Sequence, residues 1–241
     1  MSLDYTVSIV SHLSGPLLAP LLADLRRTLP ASAEVVLTIN TPEDEGFLNV
    51  AADLPLKIVR NPRPKGFGEN HNSAFAQSRG RVFVVVNPDI RLATSPFAAL
   101  RAALSAGTIG ASAPVVTGND GKQEDSVRRF PTVPRLMTRV LLGRRRPDYV
   151  PSGDATIDID WAAGMFVAFD RAAFARVQGF DTRYFMYFED ADICSRLQQA
   201  GLRVVLVPTA TVIHDAQRSS HASLLHLRWH LRSAARFLLK V

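Results

Sequence analysis

The sequence predicts an α/β protein with a doubly wound, mostly parallel sheet flanked by helices and followed by a C-terminal amphipathic helix. Two observations predict this class: short, apolar, β-branched runs of strand length recur along the chain, and segments with helical patterning separate them. The clearest run is Val82–Val86, which is apolar throughout, as in a strand buried on both faces of a parallel sheet. It stops at Asn87-Pro88-Asp89, because a proline cannot donate to a strand ladder.

The first half of the chain alternates regularly between the two kinds of segment. The predicted strands cover residues 5–10, 34–39, 56–59, 82–86 and 109–116, and the predicted helices cover residues 17–29, 69–78 and 96–106. We expect Ser95 to cap the third helix, with Pro96 in its first turn. A polar turn at 40–46 and a basic loop at 60–68 follow the second and third strands, at the sheet edge where open α/β folds bind ligands.

The second half is less regular. Strands are predicted at 157–161, 165–169 and 203–207, and helices at 134–142, at 170–177 with Asp170 as cap, and at 189–200. Pro208 is expected to end the strand before it, and Gly201 to end the preceding helix. The cationic loop 143–147 fits a solvated surface turn and a contact with anions or a membrane equally well.

The C-terminal segment 219–241 is predicted to be a basic amphipathic helix. One side carries Leu224, Leu227, Leu231 and Leu238, and another carries Arg228, Arg232, Arg236 and Lys240. Such a helix can pack on the sheet with a solvated basic face, as surface helices commonly do. It can also lie on an anionic membrane surface. The sequence leaves both alternatives open.

Composition excludes several classes of protein. With 241 residues, 47% of them apolar and 21% charged, the chain is one globular domain rather than a disordered segment. The formal net charge of +6 suits phosphates or an anionic membrane, and no nucleic-acid reader motif is present. One cysteine, Cys194, rules out an internal disulfide and fits a reducing compartment. Since neither a signal peptide nor an 18-residue apolar run is present, we expect a cytoplasmic protein, peripheral at most at the inner face of the membrane.

Acidic and imidazole side chains fall at predicted strand ends and helix starts. They are Asp89, the Glu189-Asp190 pair and His214. A parallel sheet gathers such ends on one edge, so the side chains can converge on one divalent cation and one reacting centre. There one carboxylate can hold Mg²⁺ or Mn²⁺ while another, kept off the metal, acts as general base.

An ordered set of motifs carries a resemblance to a known family. The motifs are Gly66-Phe-Gly-Glu-Asn-His-Asn72, Asn87-Pro-Asp89, Trp161-Ala-Ala-Gly164, Gly179-Phe-Asp181, Phe185-Met-Tyr-Phe-Glu-Asp-Ala-Asp192 and His214. From about residue 6 to residue 214 the chain resembles glycosyltransferase family 2, and within it the rhamnosyltransferase-like branch. The resemblance implies a GT-A fold, a nucleotide-sugar donor, a divalent metal and inversion at the anomeric carbon.

The resemblance also implies a role for each candidate residue. Asn87-Pro88-Asp89 corresponds to the family's metal-binding motif, so Asp89 is the expected metal ligand, with His214 as a further ligand. Glu189 and Asp190 match the family's catalytic pair, with Asp190 as the base that deprotonates the acceptor hydroxyl. The expected donor-binding residues are Asn40, Asn61, Lys65, Gly66, Gly68 and Asn87, and the expected acceptor-binding residues are Trp161, Gly164 and Tyr187. At the position that reads the base the family usually has Asp, whereas this chain has Asn40 and places its acids at Glu43 and Asp44.

The implied activity is an inverting, metal-dependent transfer of a sugar, with rhamnose from dTDP-rhamnose as the leading donor and a UDP-linked sugar as the other. The acceptor is a cell-surface glycan or its polyprenyl-linked precursor. Residues 1–116 then form the donor and metal half, residues 117–218 the acceptor and catalytic half, and 219–241 the terminal helix. Two other classes stay open: a nucleotide-sugar-binding protein without turnover and a nucleotide-sugar hydrolase. The sequence does not define an oligomeric state.

Overall fold

The computed structural model describes residues 3–142, 147–215 and 224–239. The strands are β1 (Tyr5–Ser11), β2 (Ala33–Ile39), β3 (Leu56–Arg60), β4 (Val82–Val86), β5 (Ile90–Arg91), β6 (Ile109–Gly118), β7 (Val127–Arg128), β8 (Ile157–Asp158), β9 (Trp161–Ala162), β10 (Phe166–Asp170) and β11 (Arg203–His214). The helices are α1 (Gly15–Thr28), α2 (Phe67–Ala76), α3 (Phe97–Leu104), α4 (Val133–Leu142), α5 (Arg171–Arg176), α6 (Glu189–Gln199) and α7 (Leu224–Leu239), and a 3₁₀ turn covers Gly46–Ala51.

The main sheet has the order β3-β2-β1-β4-β10-β6-β11-β5, with β8 also paired to β11. Its β3-β2-β1-β4 half is parallel, as is the β6–β11 pair, while β10 runs antiparallel between β4 and β6. Strands β7 and β9 form a separate antiparallel ribbon. The predicted α/β class with a mostly parallel sheet is therefore confirmed, with one antiparallel strand at its centre.

The core lies on both faces of the sheet. Successive side chains of β4 point to opposite faces, so Val84 belongs to the layer under α1 and α3 and Phe83 to the layer under α2, α5 and α6. Both are fully buried. This explains why the Val82–Val86 run is apolar at every position, as expected for a strand covered on two sides.

Three local predictions are wrong for identifiable reasons. The strand before Pro208 does not end there, because the proline falls in a bulge between Val207 and Thr211, and β11 continues to His214. The predicted strand 157–161 is divided between β8 and β9, which belong to different sheets. Helix α3 begins one residue late, with Pro96 at its N-cap and without a side-chain cap from Ser95.

The predicted Asp170 cap is confirmed by a 2.8 Å bond from the Ala173 amide.

The terminal helix leaves two leucines of its apolar side exposed. Helix α7 docks against the segment just before α6: Ser233 Oγ donates to the Met186 carbonyl, and the rings of Phe237 and Phe188 are in contact. Leu227 and Leu231 point to solvent instead. The alternative in which this helix packs on the sheet and exposes only its basic face is therefore wrong. None of the helices in the described ranges is long and apolar enough to cross a membrane.

Candidate active site

Asp89 and His214 meet where two strands end. The short strand β5, which follows Asp89, pairs antiparallel with the last residues of β11, opposing Ile90 to His214. The Asp215 amide also donates to the Asp89 carbonyl at 2.8 Å. As a result, His214 Nε2 lies 2.9 Å from Asp89 Oδ2. The two residues predicted to share a metal are thus neighbours, although 125 positions separate them in the chain.

A second carboxylate holds the other side of the same ring. Glu124 belongs to the turn region that follows β6, and its Oε2 lies 2.6 Å from His214 Nδ1. The hydrogen bond to Asp89, the charge of Asp89 and the Glu124 contact outweigh partial burial and raise the pKa of His214 to about 9. Glu124 was missed from the sequence because it has no recognisable motif around it. Only the tertiary position of this turn brings it to the site.

The Asp89–His214 pair fits a divalent cation. Asp89 Oδ1 is buried and has no hydrogen-bond partner, so one hard oxygen ligand is not engaged in a hydrogen bond. Imidazole nitrogen is a ligand that transition metals such as Mn²⁺ also accept. In the described part of the chain no three His, Cys, Asp or Glu residues are grouped to hold a metal ion. A cation here would therefore take its remaining ligands from diphosphate oxygens and water, as Mg²⁺ commonly does.

Asp190 lies at the first turn of α6 and is held by backbone amides. Its Oδ2 accepts from the Gly164 N–H at 3.1 Å and its Oδ1 accepts from the Ala191 N–H at 2.8 Å. Burial raises the pKa of Asp190 above its ordinary value, whereas the two N–H donors and the charge of Arg128 act in the opposite direction. Asp190 also borders a small cavity lined by the apolar side chains of Val85, Ala162, Val167, Phe169, Phe180 and Ile193.

Glu189 has a different environment from its neighbour. It is buried and its Oε2 has no hydrogen-bond partner. Burial, followed by the charge of Asp190, raises the pKa of Glu189 well above its ordinary value. Two amide donors and Arg128 oppose the effect of burial at Asp190, whereas only its own backbone N–H opposes it at Glu189, so a proton on this pair belongs on Glu189 before Asp190. That leaves Asp190 as the carboxylate able to accept a proton.

Two hydrogen bonds connect the Asp190 side of the site to the Asp89 side. Gly164 donates to Asp190, and the carbonyl of the next residue, Met165, accepts from the Asn87 amide at 2.9 Å. Asn87 precedes Asp89 by two residues at the end of β4. The structure therefore brings the predicted metal ligand and the predicted base to the same edge of the sheet.

The predicted donor-binding amides are largely used on one another. Asn40 Oδ1 accepts from the Lys65 amide at 2.8 Å and from Asn61 Nδ2 at 2.9 Å, and its Nδ2 donates to the Lys65 carbonyl. Asn61 Nδ2 also donates to Asn70 Oδ1. The Lys65 ammonium lies 3.2 Å from Ser73 Oγ. This network fixes the shape of the loop before α2, so a role of Asn40 and Asn61 in donor binding would be to position that loop.

The glycines of the same loop accommodate protein atoms. A Cβ on Gly66 would lie 2.6 Å from the Phe185 carbonyl oxygen, and a Cβ on Gly68 would lie 2.6 Å from Phe180 Cβ. The Phe67 amide donates to that same Phe185 carbonyl at 3.0 Å. We expected these glycines to allow close approach of a diphosphate. In the structure they allow close approach of the segment that leads to Asp190.

Of the predicted acceptor residues, Gly164 contacts Asp190 directly, and the other two make contacts elsewhere. Trp161 is buried, donates from Nε1 to the Arg129 carbonyl at 3.0 Å, and has the Arg128 guanidinium 5.1 Å from its ring centroid. Tyr187 bonds through its hydroxyl to His226 of α7 at 2.8 Å. Arg128 was not among the predicted site residues, yet its charge acts on Asp190. The basic pair 128–129 in the sequence was the signal that could have indicated it.

Comparisons with known proteins identify the family of the chain. The family model described as glycosyl transferase family 2 matches residues 6–174, and a model described as the N-terminal domain of galactosyltransferase matches residues 154–222. Rhamnosyltransferase WbbL of Escherichia coli strain K12 is 31% identical over 185 residues, which is 72% of this chain and 70% of that protein. The N-acetylglucosaminyl-diphospho-decaprenol L-rhamnosyltransferase of Mycobacterium tuberculosis is 30% identical and covers 96% of this chain and 83% of its own length.

Solved structures share the fold. GalNAc-T7, crystallised with UDP, GalNAc and Mn²⁺, superimposes with a TM-score of 0.72 at 17% identity, over 98% of this chain and 47% of that one. Mannosyltransferase PcManGT from Pyrobaculum calidifontis, in complex with GDP-Man and Mn²⁺, gives a TM-score of 0.69 at 19% identity, over 100% of this chain and 65% of that one. The architecture is thus the GT-A fold, and with the sequence match over residues 6–174 the chain belongs to glycosyltransferase family 2.

Proposed function

We propose that this enzyme transfers rhamnose, with inversion, from a nucleoside-diphosphate donor to a sugar hydroxyl of a polyprenyl-diphosphate-linked acceptor. Two relatives about 30% identical bear rhamnosyltransferase names, which supports rhamnose from a dTDP-linked donor over a UDP-linked sugar. One of those names specifies a decaprenyl diphosphate acceptor, which supports a lipid-linked precursor of a cell-surface glycan. Such an acceptor implies work at the inner face of the cell membrane.

The observation that carries the proposal is the placement of Asp190 relative to Asp89. Two backbone amides support the charge on Asp190. Two hydrogen bonds connect Asp190 to the strand end that carries the Asp89–His214 pair, and this pair fits a cation. A divalent cation held by Asp89 and His214 would supply charge stabilisation for the departing nucleoside diphosphate. Asp190 is placed to take the proton of an acceptor hydroxyl, and its raised pKa makes it a stronger base than an exposed aspartate.

Two further groups have roles in this proposal. A proton held by Glu189 rather than by Asp190 leaves the negative charge of the pair on Asp190, so the base and its neighbour do not repel each other as two anions. Arg128, stacked on Trp161, brings a positive charge close to Asp190 and is suited to contact a phosphate or a sugar oxygen of either substrate. Trp161 and Tyr187 would line the acceptor side.

The test is release of nucleoside diphosphate from a donor panel, with and without a polyprenyl-diphosphate acceptor and with and without Mn²⁺. We expect turnover with dTDP-rhamnose that requires the acceptor. Asp190→Asn should lower the rate by roughly 10²- to 10⁴-fold, as expected for loss of a general base, while nucleotide binding is retained. Asp192→Asn, whose carboxylate pairs with Arg196 one turn along α6, is the matched control and should keep most of the activity.

Other outcomes would contradict the proposal. Full turnover by Asp190→Asn would reject the base. Donor cleavage that is indifferent to the acceptor would indicate a hydrolase, and tight donor binding without product would indicate a binding protein. Transfer from UDP-linked sugars in preference to dTDP-rhamnose would keep the reaction but change the donor.

A further inference from the structure

Two helices near the active site expose large apolar side chains. On α4, Val133 and Met137 are 55% and 57% exposed, and on α7, Leu227 and Leu231 are 55% and 61% exposed. Leu239, at the end of α7, is exposed as well. Five of the eight large apolar side chains that are exposed in the described ranges thus lie on these two helices. A concentration of this kind indicates an interaction surface, whereas single exposed leucines do not.

The two helices form one continuous surface. Leu136 of α4 and Phe237 of α7 both pack on the small cluster formed by Tyr184, Phe188 and Ala234. The Phe130 ring, just before α4, also contacts Phe237, with ring centroids 6.2 Å apart. The inward sides of α4 and α7 are therefore occupied by the domain, and their outward sides face solvent together. We call these outward sides the α4–α7 face.

The sequence segments that contain α4 and α7 carry charge of one sign. Residues 126–147 and 216–241 contain 12 of the 28 Lys and Arg residues of the chain and none of its 22 Asp and Glu residues. Within the described ranges, Arg135 of α4 and Arg228 and Arg232 of α7 are exposed beside the apolar side chains. The rest of the chain has more acidic than basic residues, so the excess positive charge of the protein belongs to these segments.

We propose that the α4–α7 face is a docking surface for an anionic lipid bilayer. Exposed Leu, Val and Met side chains with adjacent arginines are the combination that inserts into the headgroup region of such a membrane. A second copy of this chain is a poorer occupant, because a two-fold contact would place this face against itself. Arginines would then meet arginines, with no acidic residue of either helix to balance them.

The position of the face gives the docking a purpose that rests on the proposed function. Phe188 packs against α7, and the next two residues are Glu189 and Asp190. Binding of α4 and α7 to a bilayer would hold the base close to the surface at which a polyprenyl-linked acceptor presents its sugar. The fold would then combine substrate supply and catalysis on one side of the domain.

The test is co-sedimentation of the purified full chain with vesicles that contain neither donor nor acceptor. One set of vesicles is an equal mixture of phosphatidylglycerol and phosphatidylcholine, and the other is phosphatidylcholine alone. We expect binding to the first set and little to the second. Arg228→Gln with Arg232→Gln should weaken binding on the order of tenfold or more, since each basic residue near a membrane contributes a several-fold effect. Leu227→Gln with Leu231→Gln should weaken it by at least as much.

Matched controls change the same residue types outside the face. Arg79→Gln with Arg81→Gln removes two exposed positive charges, and Val150→Gln removes an exposed apolar side chain. Both controls should bind like the unchanged protein. All substituted side chains are exposed, and equal melting temperatures will verify that the variants fold.

The proposal would be overturned if the unchanged chain did not sediment with anionic vesicles, or if face and control variants lost binding equally. It would also be overturned if the double leucine substitution converted a dimer into a monomer, in analytical ultracentrifugation, without affecting vesicle binding. Because the vesicles contain no substrate, failure of the proposed transfer reaction would leave this result unchanged. The two hypotheses can therefore fail separately.

Discussion

The contact between Glu124 and His214 predicts that a residue outside any motif controls metal binding. A cation held by His214 Nε2 would replace the hydrogen bond to Asp89, and the 2.6 Å contact between Nδ1 and Glu124 would still orient the ring. Glu124→Ala removes that contact and leaves the imidazole free to rotate or to change tautomer. A carboxylate behind a metal-binding histidine has this orienting role in metalloproteins generally.

The expected size of the effect follows from that contact. Loss of such a carboxylate typically lowers metal affinity by roughly 10- to 100-fold, which corresponds to about 1.4–2.7 kcal/mol. Glu124→Gln keeps an acceptor oxygen but loses the negative charge. Because a charge-assisted hydrogen bond is roughly twice as strong as a neutral one, the glutamine variant should lose about half of this free energy, or about 3- to 10-fold in affinity.

The assay is calorimetric titration of Mn²⁺ into the protein in the presence of a nucleoside diphosphate, with free Mn²⁺ measured independently by electron paramagnetic resonance. His214→Ala provides the reference for complete loss of the ligand. Asp120→Asn is the matched control, because Asp120 lies in the same turn region and its carboxylate pairs with Lys122. If Glu124→Ala bound Mn²⁺ within twofold of the unchanged protein while His214→Ala did not, the orienting role of Glu124 would be rejected.

Three further predictions concern charge and packing near Asp190. Burial raises the pKa of Glu189 in the folded protein, so the free energy of unfolding falls as pH rises from the ordinary range of a glutamate toward that raised pKa. Glu189→Gln should therefore raise the melting temperature at pH 8 and have little effect at pH 4. A lower melting temperature of the variant at pH 8 would contradict this. Transfer should fall on the acidic side as Asp190 takes up a proton, and Arg128→Gln, which removes a charge that lowers the pKa of Asp190, should move the acidic limb of kcat/KM to higher pH. An unmoved limb would show that another group controls it. Gly68→Ala places a Cβ 2.6 Å from Phe180 Cβ, so urea unfolding should show a loss of about 1–3 kcal/mol, and an unchanged midpoint would mean that α2 can shift without cost.

The strands that could be predicted are those whose burial is visible locally. Val82–Val86 is covered on both faces, and the absence of any polar residue in this run indicates it directly. The direction of β10 could not be predicted, because parallel and antiparallel strands at the centre of a sheet have the same apolar pattern and differ only in how the chain reaches them. Pro208 misled for a related reason: a proline interrupts a ladder only where its nitrogen is needed as a donor, and the bulge after Val207 removes that need.

The candidate site shows the same division. Asp89 and His214 could be paired from the sequence because both lie at strand ends, and strand ends converge on one edge of a sheet. Glu124 and Arg128 reach the site through the irregular segment after β6, where no periodicity fixes direction, so their contacts depend on the completed fold. Gly66 and Gly68 were predicted to bind the donor, and the structure shows that they pack closely against the segment before Asp190.

The segment just before α6 also explains where the terminal helix α7 packs. Tyr187 and Phe188 both have left-handed backbone conformations, with φ of 71° and 68°, which cost a non-glycine residue about 1–2 kcal/mol each. Contacts with α7 offset this cost: Tyr187 bonds to His226, and the Phe188 ring packs on Phe237. The strained pair turns the chain directly into α6 and so determines where Asp190 points. Helix α7 therefore has two separate faces, one that holds the base in position and one that is free to meet the membrane.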